Sequence, residues 1–180
     1  ADLGTVIHAI NAEILRTMYD QNQTQIPTQE AVEIAYEVYT ASGIILPTEQ
    51  REDMIWLVLQ FIERPWRVDR LLDGKAGIER RIHVPIRCPA GVTRVLSCQP
   101  DALFVGSADT ITIADWKSGK GKPKAPRQKQ EGVPEGVAVG RQYLSDRGHF
   151  QADSYSLAAL HEWPRAQRVI FRELHLRSGQ

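Results

Sequence analysis

The chain has only two cysteines and no long apolar run, and each shortage excludes a class of protein. Cys88 and Cys98 are too few for a disulfide framework or a four-cysteine iron–sulfur cluster. Apolar stretches such as residues 55–59 are far shorter than the roughly 18 residues of a membrane span. No basic region followed by an apolar run marks a secretory signal at the N-terminus. We therefore expect no membrane association, a reducing cytoplasmic location, and two buried thiols.

An excess of charge of either sign is also missing, although the zero net charge conceals an asymmetry. Residues 1–62 hold two basic and nine acidic side chains, whereas residues 63–180 hold twenty basic and thirteen acidic ones. A neutral total argues against indiscriminate coating of a polyanion, but a basic half can present a groove to one. The length of 180 residues predicts one domain over 1–180, and the absence of an initial Met suggests an excised or processed segment.

Apolar side chains recur at helical spacing in the first third of the chain. This spacing predicts helices over residues 5–18, 28–39 and 49–61, each of the last two opened by a Pro-Thr pair. Thr28 is the predicted N-cap of the second helix, and Gly43 lies near its end. We therefore expect a helical part over residues 1–72.

Alternating apolar residues replace the helical spacing after residue 73. They predict strands over residues 78–86, 94–105, 110–116 and 168–176, with a helix over 148–163 before the last strand. The second and third strands are expected to form a hairpin. The resulting fold class is α/β (α+β), with a central mixed sheet flanked by helices, and with the sheet and its last helix in residues 73–180.

Two acidic residues stand at positions that the hairpin brings together. Side chains alternate along a strand, so burying the apolar residues of both strands on one face requires Val105 to lie opposite Ile111. That register places Asp101 opposite Asp115, with Cβ atoms about 4.5–5.5 Å apart. Two carboxylates this close repel one another, and a shared proton or a divalent cation relieves the repulsion. Lys117 points to the same side, which suits phosphodiester hydrolysis.

Four short segments around these residues resemble one known family. The Pro-Asp at residues 100–101 and the Asp-Trp-Lys-Ser-Gly at 115–119 resemble the core of the PD-(D/E)XK nuclease superfamily. The Gly-Thr-Val-Ile-His at 4–8 and the Gln-x-x-x-Tyr at 151–155 resemble the opening and closing helix motifs of its RecB-like exonuclease branch. The order of the four segments carries the resemblance more than any one of them. It implies a restriction-endonuclease-like core.

The resemblance also implies a role for individual residues. Mg²⁺ or Mn²⁺ would be held by His8, Asp101, Asp115 and the backbone carbonyl of Trp116, with Glu79 as an auxiliary acid. Lys117 would orient the attacking water or stabilise the pentavalent phosphate, and Asp101 and Asp115 would be catalytic with it. A further group would bind DNA: Gln151, Tyr155, Lys120, Lys122, Lys124, Arg127 and Lys129. The two cysteines exclude the four-cysteine iron–sulfur cluster that some relatives carry.

The function implied is a metal-dependent DNA nuclease, an exonuclease in recombination, repair, phage or CRISPR-related DNA processing. Its partners would be DNA with a free end or single-stranded DNA, and a helicase or recombination protein. One alternative is a catalytically silent DNA-binding or scaffolding module of the same fold, and another is a structure-specific endonuclease.

Several of these residues also have a purely structural interpretation. His8 could be an ordinary helix histidine, Lys117 could merely form a salt bridge, and Tyr155 could cap the core. The basic run over residues 120–129 could be a solvated loop. Three tryptophans are expected to serve core or subdomain packing, whereas Trp116 could approach a nucleobase. The three are Trp56, Trp66 and Trp163.

Overall fold

The computed structural model describes residues 2–89, 91–106, 109–119 and 150–177. These residues form a mixed α/β structure with four α-helices, two small sheets and a helical N-terminal part. The helices are α1 (Asp2–Asp20), α2 (Thr28–Ser42), α3 (Thr48–Ile62) and α4 (Phe150–Glu162). The strands are β1 (Ile82–Arg87), β2 (Thr93–Cys98), β3 (Ala102–Val105), β4 (Thr110–Lys117) and β5 (Arg168–His175). None of the helices described is long and apolar enough to cross a membrane.

The predicted helices are present, and their ends follow the proline and glycine signals. Gly43 ends α2 in the left-handed conformation, with φ of 66°, and its N–H donates to the Thr40 carbonyl. The predicted N-cap role of Thr28 is wrong. Pro27 occupies the capping position, and no side chain caps the helix there. The reason is that Thr28 is already the first helical residue, so its hydroxyl lies beyond the N-cap position.

The predicted strand over residues 94–105 is wrong, because the structure divides it between two sheets. β1 and β2 form an antiparallel pair of their own, and β3 begins a second sheet. The break falls at residues 99–101, where Pro100 has no N–H to donate to a ladder. The predicted first strand is also shorter, since Glu79 has φ of 50° and leaves the extended region. The expected single central sheet is therefore two small sheets.

The second sheet has the order β3-β4-β5 and is mixed, as expected. β3 pairs antiparallel with β4, and β4 pairs parallel with β5. The hairpin register places Val105 opposite Ile111 and Leu103 opposite Ile113, which confirms the pairing predicted from side-chain alternation. The same alternation sends successive side chains of β3 and β4 to opposite faces.

Both faces of this sheet are covered by helices. Ala102, Ala114 and Trp116 pack into the core formed with α1, α2 and α3. Leu103, Ile111 and Ile113 pack on the other face, with Ala158 and Ala159 of α4. The ends of β3 and β4 therefore lie between the helical N-terminal part and α4.

The four tryptophans differ in burial, and the predictions for them are partly correct. Trp116 is fully buried against Phe61 and Trp66, so the interpretation that it approaches a nucleobase is wrong. Its position on β4 places the ring on the sheet face that α1, α2 and α3 cover, and sequence spacing alone does not reveal this cover. Trp66 is buried as predicted, whereas Trp56 is 41% exposed on α3 and the core prediction for it is wrong. Trp163 is half-buried and packs against the core on the α4 side, and the Arg80 guanidinium lies over its ring.

The two cysteines lie in different surroundings. Cys98 at the end of β2 is buried, and burial raises the pKa of its thiol. Cys88 follows β1 and is only half-buried, so the prediction of two buried thiols is half right. Cys88 lies beyond the last residue of β1, where the strand pair has left the core.

Candidate active site

The two carboxylates lie together at the end of the β3–β4 hairpin. The ladder ends at Ala102 opposite Ala114, so the next opposed pair is Asp101 and Asp115. Asp101 is 6% exposed and Asp115 is 2% exposed. Burying charged side chains is costly unless they have partners. The partners of each carboxylate therefore determine which chemistry the site can support.

Asp101 joins the N-terminal helix to β4. Its Oδ1 lies 2.8 Å from Nδ1 of His8 on α1, and its Oδ2 accepts the backbone N–H of Trp116 at 2.8 Å. Gly4, one turn before His8, comes so near β4 that an added Cβ would lie 3.4 Å from the Ser118 hydroxyl. The helix thus meets the strand end through small side chains and a histidine–carboxylate contact.

The electrostatics of this contact favour a charged His8. Burial lowers the pKa of His8, but the hydrogen bond to Asp101 and the negative charges of Asp101 and Asp115 outweigh it. The net effect is a raised pKa, so the histidine holds its proton to higher pH than a free imidazole does.

Asp115 is held by a lysine and an amide together. The Lys117 ammonium forms an ion pair with Oδ2 of Asp115. Gln151 on α4 donates from Nε2 to Oδ1 of Asp115 at 3.0 Å and accepts from Lys117 Nζ at 3.0 Å through its Oε1. Burial raises the pKa of Asp115, Lys117 opposes that rise, and Asp101 adds to it. The pKa of Asp115 stays above the ordinary aspartate value.

Tyr155 closes the network from the side of α4. Its hydroxyl accepts from Gln151 Nε2 at 3.2 Å and donates to the Gln99 carbonyl at 3.1 Å. Its ring packs on Phe171 with centroids 6.1 Å apart. Burial raises the pKa of the phenol. Tyr155 therefore covers the core with its ring, as the structural interpretation predicted, and its hydroxyl contacts Gln151.

A cleft of about 350 Å³ opens beside these residues. It is lined by His8, Lys117, Ser118, Gly119, Glu173 and His175. Glu173 and His175 were missed by the sequence reasoning. The parallel register brings them to the site, because Glu173 lies opposite Asp115 and His175 opposite Lys117. The signal available in the sequence is their spacing of two, which puts both on one face of the last strand.

Glu79, the predicted auxiliary acid, contacts an arginine of α1 and the backbone of Asp101. Its carboxylate accepts from Arg16 on α1 at 3.0 Å. Its backbone N–H donates to the Asp101 carbonyl at 2.9 Å. Glu79 thus supports Asp101 through the backbone, while its side chain binds an arginine. The five predicted basic contacts in residues 120–129 lie outside the described residues.

The donor set fits a hard divalent cation in its chemistry. Mg²⁺ is commonly held by one or two carboxylates completed by waters and phosphate oxygens, and Asp101 and Asp115 supply such a pair. Among the described residues, however, no three histidine, cysteine or acidic side chains are arranged so that they could hold a metal ion. All four oxygens of the pair have protein partners, so a cation would compete with Lys117 for Asp115.

Comparison with known proteins yields no match: no family model, curated protein or solved structure is similar to this chain at a significant level.

Proposed function

We propose that the protein is a metal-dependent DNA nuclease of the RecB-like branch of the PD-(D/E)XK superfamily, with a restriction-endonuclease-like core in a single domain. The observation that carries the proposal is the contact of four functional groups at one strand end. Asp101 and Asp115 are both buried, and Lys117 contacts Asp115. Gln151 forms hydrogen bonds to both Lys117 and Asp115. The sequence motifs and the spatial cluster select the same residues.

The buried acid pair supports a cation-dependent reaction. The two adjacent carboxylates supply the hard oxygen donors that Mg²⁺ and Mn²⁺ prefer, and a bound cation would relieve the repulsion between them. Asp101, Asp115, His8 and the Trp116 carbonyl would hold Mg²⁺ or Mn²⁺. When bound, such an ion polarises a phosphate and lowers the pKa of a coordinated water.

The groups of the chain itself have defined tasks in the hydrolysis. A water oxygen attacks phosphorus, the bond from phosphorus to the 3′-oxygen breaks, and that oxygen takes up a proton. The products are a 5′-phosphate and a 3′-hydroxyl. The Lys117 ammonium stabilises the charge that develops on the phosphate oxygens. Gln151, bound to both Lys117 and Asp115, keeps the ammonium in place, and Tyr155 keeps Gln151 in place.

The cleft supplies a place for the phosphodiester group. Its volume of about 350 Å³ lies at the lower end of the range for small-molecule pockets. Lys117 contributes an ammonium group to the lining, and Ser118 contributes a hydroxyl. These groups suit an anion, which is the form of every backbone phosphate.

A substrate panel tests this proposal. Linear DNA labelled at the 5′ or 3′ end, single- and double-stranded, is incubated with Mg²⁺, Mn²⁺ or EDTA beside a closed circle. We expect metal-dependent loss of linear DNA, which Lys117→Ala abolishes while DNA binding persists. Cleavage of the circle would instead assign an endonuclease. Unaltered cleavage by Lys117→Ala would refute the mechanism.

The silent DNA-binding module is a second candidate, favoured by the saturation of the acid pair. Every carboxylate oxygen of Asp101 and Asp115 already has a protein partner, as in a structural polar network. Calorimetric titration with Mn²⁺ separates the candidates, with Asp115→Asn as the control. Binding by the native chain that the control loses supports the nuclease. DNA binding without metal binding supports the silent module.

A further inference from the structure

The β1–β2 pair forms a ribbon that is rich in arginine and free of acid. The strand pair contains Arg87 and Arg94, Arg80 and Arg81 lie directly before β1, and residues 80–98 contain neither Asp nor Glu. In this ribbon β1 pairs antiparallel with β2 from Ile82 opposite Cys98 to Arg87 opposite Thr93. Its turn is closed by the Cys88 N–H donating to the Val92 carbonyl at 2.9 Å. A positive strand pair thus extends from the fold beside the candidate active site.

The two faces of the ribbon differ in burial. Ile82, Val84 and Cys98 are buried against the core on one face. Alternation along the strands places the opposite set on the other face, and all of its members are exposed. This second face, called the basic face below, consists of Arg81, His83, Pro85, Arg87, Thr93, Val95 and Ser97.

The arginines of the basic face have no carboxylate partner among the residues that the structure describes. Arg81 donates a 3.4 Å hydrogen bond to the side-chain oxygen of Gln99. Arg80 provides the contrast, since it is bound by Asp73 at 2.7 Å and Glu162 at 2.6 Å. Arg80 therefore holds the fold together, whereas Arg81 and Arg87 carry uncompensated charge on an exposed surface.

The ribbon leads directly into the acid pair. β2 ends at Cys98, and Asp101 follows three residues later. Gln99 lies between them. Its side chain accepts a hydrogen bond from Arg81, and its backbone carbonyl accepts one from the Tyr155 hydroxyl. The base of the ribbon is therefore joined to Asp115 by hydrogen bonds that run through Gln99, Tyr155 and Gln151.

The dimensions and chemistry of the basic face suit a DNA duplex. Arg81 and Arg87 are six residues apart, about 20 Å at the rise of a strand. About 20 Å is also the length of roughly six base pairs at 3.4 Å each. Phenylalanine, tyrosine and tryptophan are absent from residues 80–98, so His83 is the one aromatic side chain of the face on which a single-stranded base could stack. Arginine guanidinium groups pair well with phosphate.

We propose that the basic face of the β1–β2 ribbon binds the phosphate backbone of the DNA duplex that flanks the cleavage site. The inference rests on the proposed function for its ligand, because it takes DNA as the substrate of the neighbouring site. Arg81 and Arg87 each contact a phosphate and fix the direction in which the duplex leaves the cleft.

The test is the salt dependence of duplex binding by the full chain. Fluorescence anisotropy with a labelled 20-base-pair duplex in EDTA gives Kd between 50 and 200 mM salt without cleavage. Each lost phosphate contact lowers the slope of log Kd against log salt by about 0.9. Arg87→Gln should therefore lower the slope by about 0.9, and the double variant with Arg81→Gln by about 1.8.

Two variants of equal charge change serve as controls. Arg94→Gln removes an arginine from the opposite face of the same ribbon, and Arg51→Gln removes one from α3. Both should retain the native slope, and all variants should unfold at the native temperature. A loss in Arg94→Gln equal to that in Arg87→Gln would overturn the assignment to the basic face.

The remaining outcomes separate this inference from the proposed function. A native slope in the double variant, or no duplex binding by the native chain, would refute the ribbon contact. If the substitutions lower the salt slope more for a single-stranded 20-mer than for the duplex, the choice of duplex DNA as the ligand is refuted. Duplex binding with the expected slopes but without any metal-dependent cleavage would support the ribbon contact and contradict the nuclease.

Discussion

Removing the Lys117 ammonium leaves the buried Asp115 carboxylate without its ion-pair partner. Asp115 is 2% exposed, and the side chain of Lys117 is 31% exposed. Losing one partner of a buried pair costs about 3–5 kcal/mol, and exposed pairs are worth less than about 1 kcal/mol. Lys117 lies between these limits, and Gln151 continues to hydrogen-bond Asp115. We therefore expect Lys117→Ala to reduce the free energy of unfolding by about 2–3 kcal/mol at pH 7.5.

The loss should depend on pH in a direction that follows from the raised pKa of Asp115. A carboxyl whose folded-state pKa is raised binds its proton more tightly in the folded chain, so it favours folding at low pH and this contribution disappears as the pH rises. Removing Lys117 raises that pKa further. The cost of Lys117→Ala should therefore be smaller at pH 5 than at pH 7.5.

Urea unfolding in EDTA at the two pH values measures both effects. Lys75→Ala is the control, because Lys75 forms a surface pair with Asp20 in which both side chains are about half exposed. Its cost should stay below about 1 kcal/mol. A cost for Lys117→Ala no greater than that of the control, or equal at both pH values, would refute the assignment of a buried ion pair.

Three further substitutions test separate parts of the account. His8→Gln should cost more stability at pH 6 than at pH 8.5 in urea unfolding. The reason is that the raised pKa of His8 stabilises the fold fully below about pH 6.5, and this stabilisation is lost as the pH rises through the folded-state pKa. An equal cost at both pH values would contradict the contact with Asp101. Gly43→Ala should lower stability by about 1 kcal/mol, since its φ of 66° strains an alanine although no atom obstructs the Cβ; an unchanged thermal midpoint would contradict this. Tyr155→Phe should cost about 0.5–1.5 kcal/mol, because it removes the hydrogen bonds of the hydroxyl to the Gln99 carbonyl and from Gln151. No loss of stability in urea unfolding would contradict these hydrogen bonds.

The features predicted correctly depend on neighbours in the sequence. The helices follow from apolar residues at helical spacing after Pro27 and Pro47. The opposition of Asp101 and Asp115 follows from alternation in a hairpin, where register depends on a short connection.

The features that were missed depend on contacts between distant segments. Glu173 and His175 reach the cleft because β5 pairs parallel with β4, and no local pattern specifies that partner. The division of the sheet at Pro100 was missed because alternation continues on both sides of the break. The burial of Trp116 depends on three helices that cover one face of the sheet. Periodicity identifies strands and their faces, but it does not say which strands pair.

The central claim is that Asp101, Asp115 and Lys117 form a metal-dependent phosphodiesterase site. The most direct measurement is the initial rate of cleavage of end-labelled linear DNA by the native chain and by Lys117→Ala, with Mg²⁺ and with EDTA. We expect cleavage by the native chain in Mg²⁺ only, and a rate at least about a hundredfold lower in the variant. Cleavage that persists in EDTA, equal rates for the two proteins, or no cleavage despite DNA binding would contradict the claim.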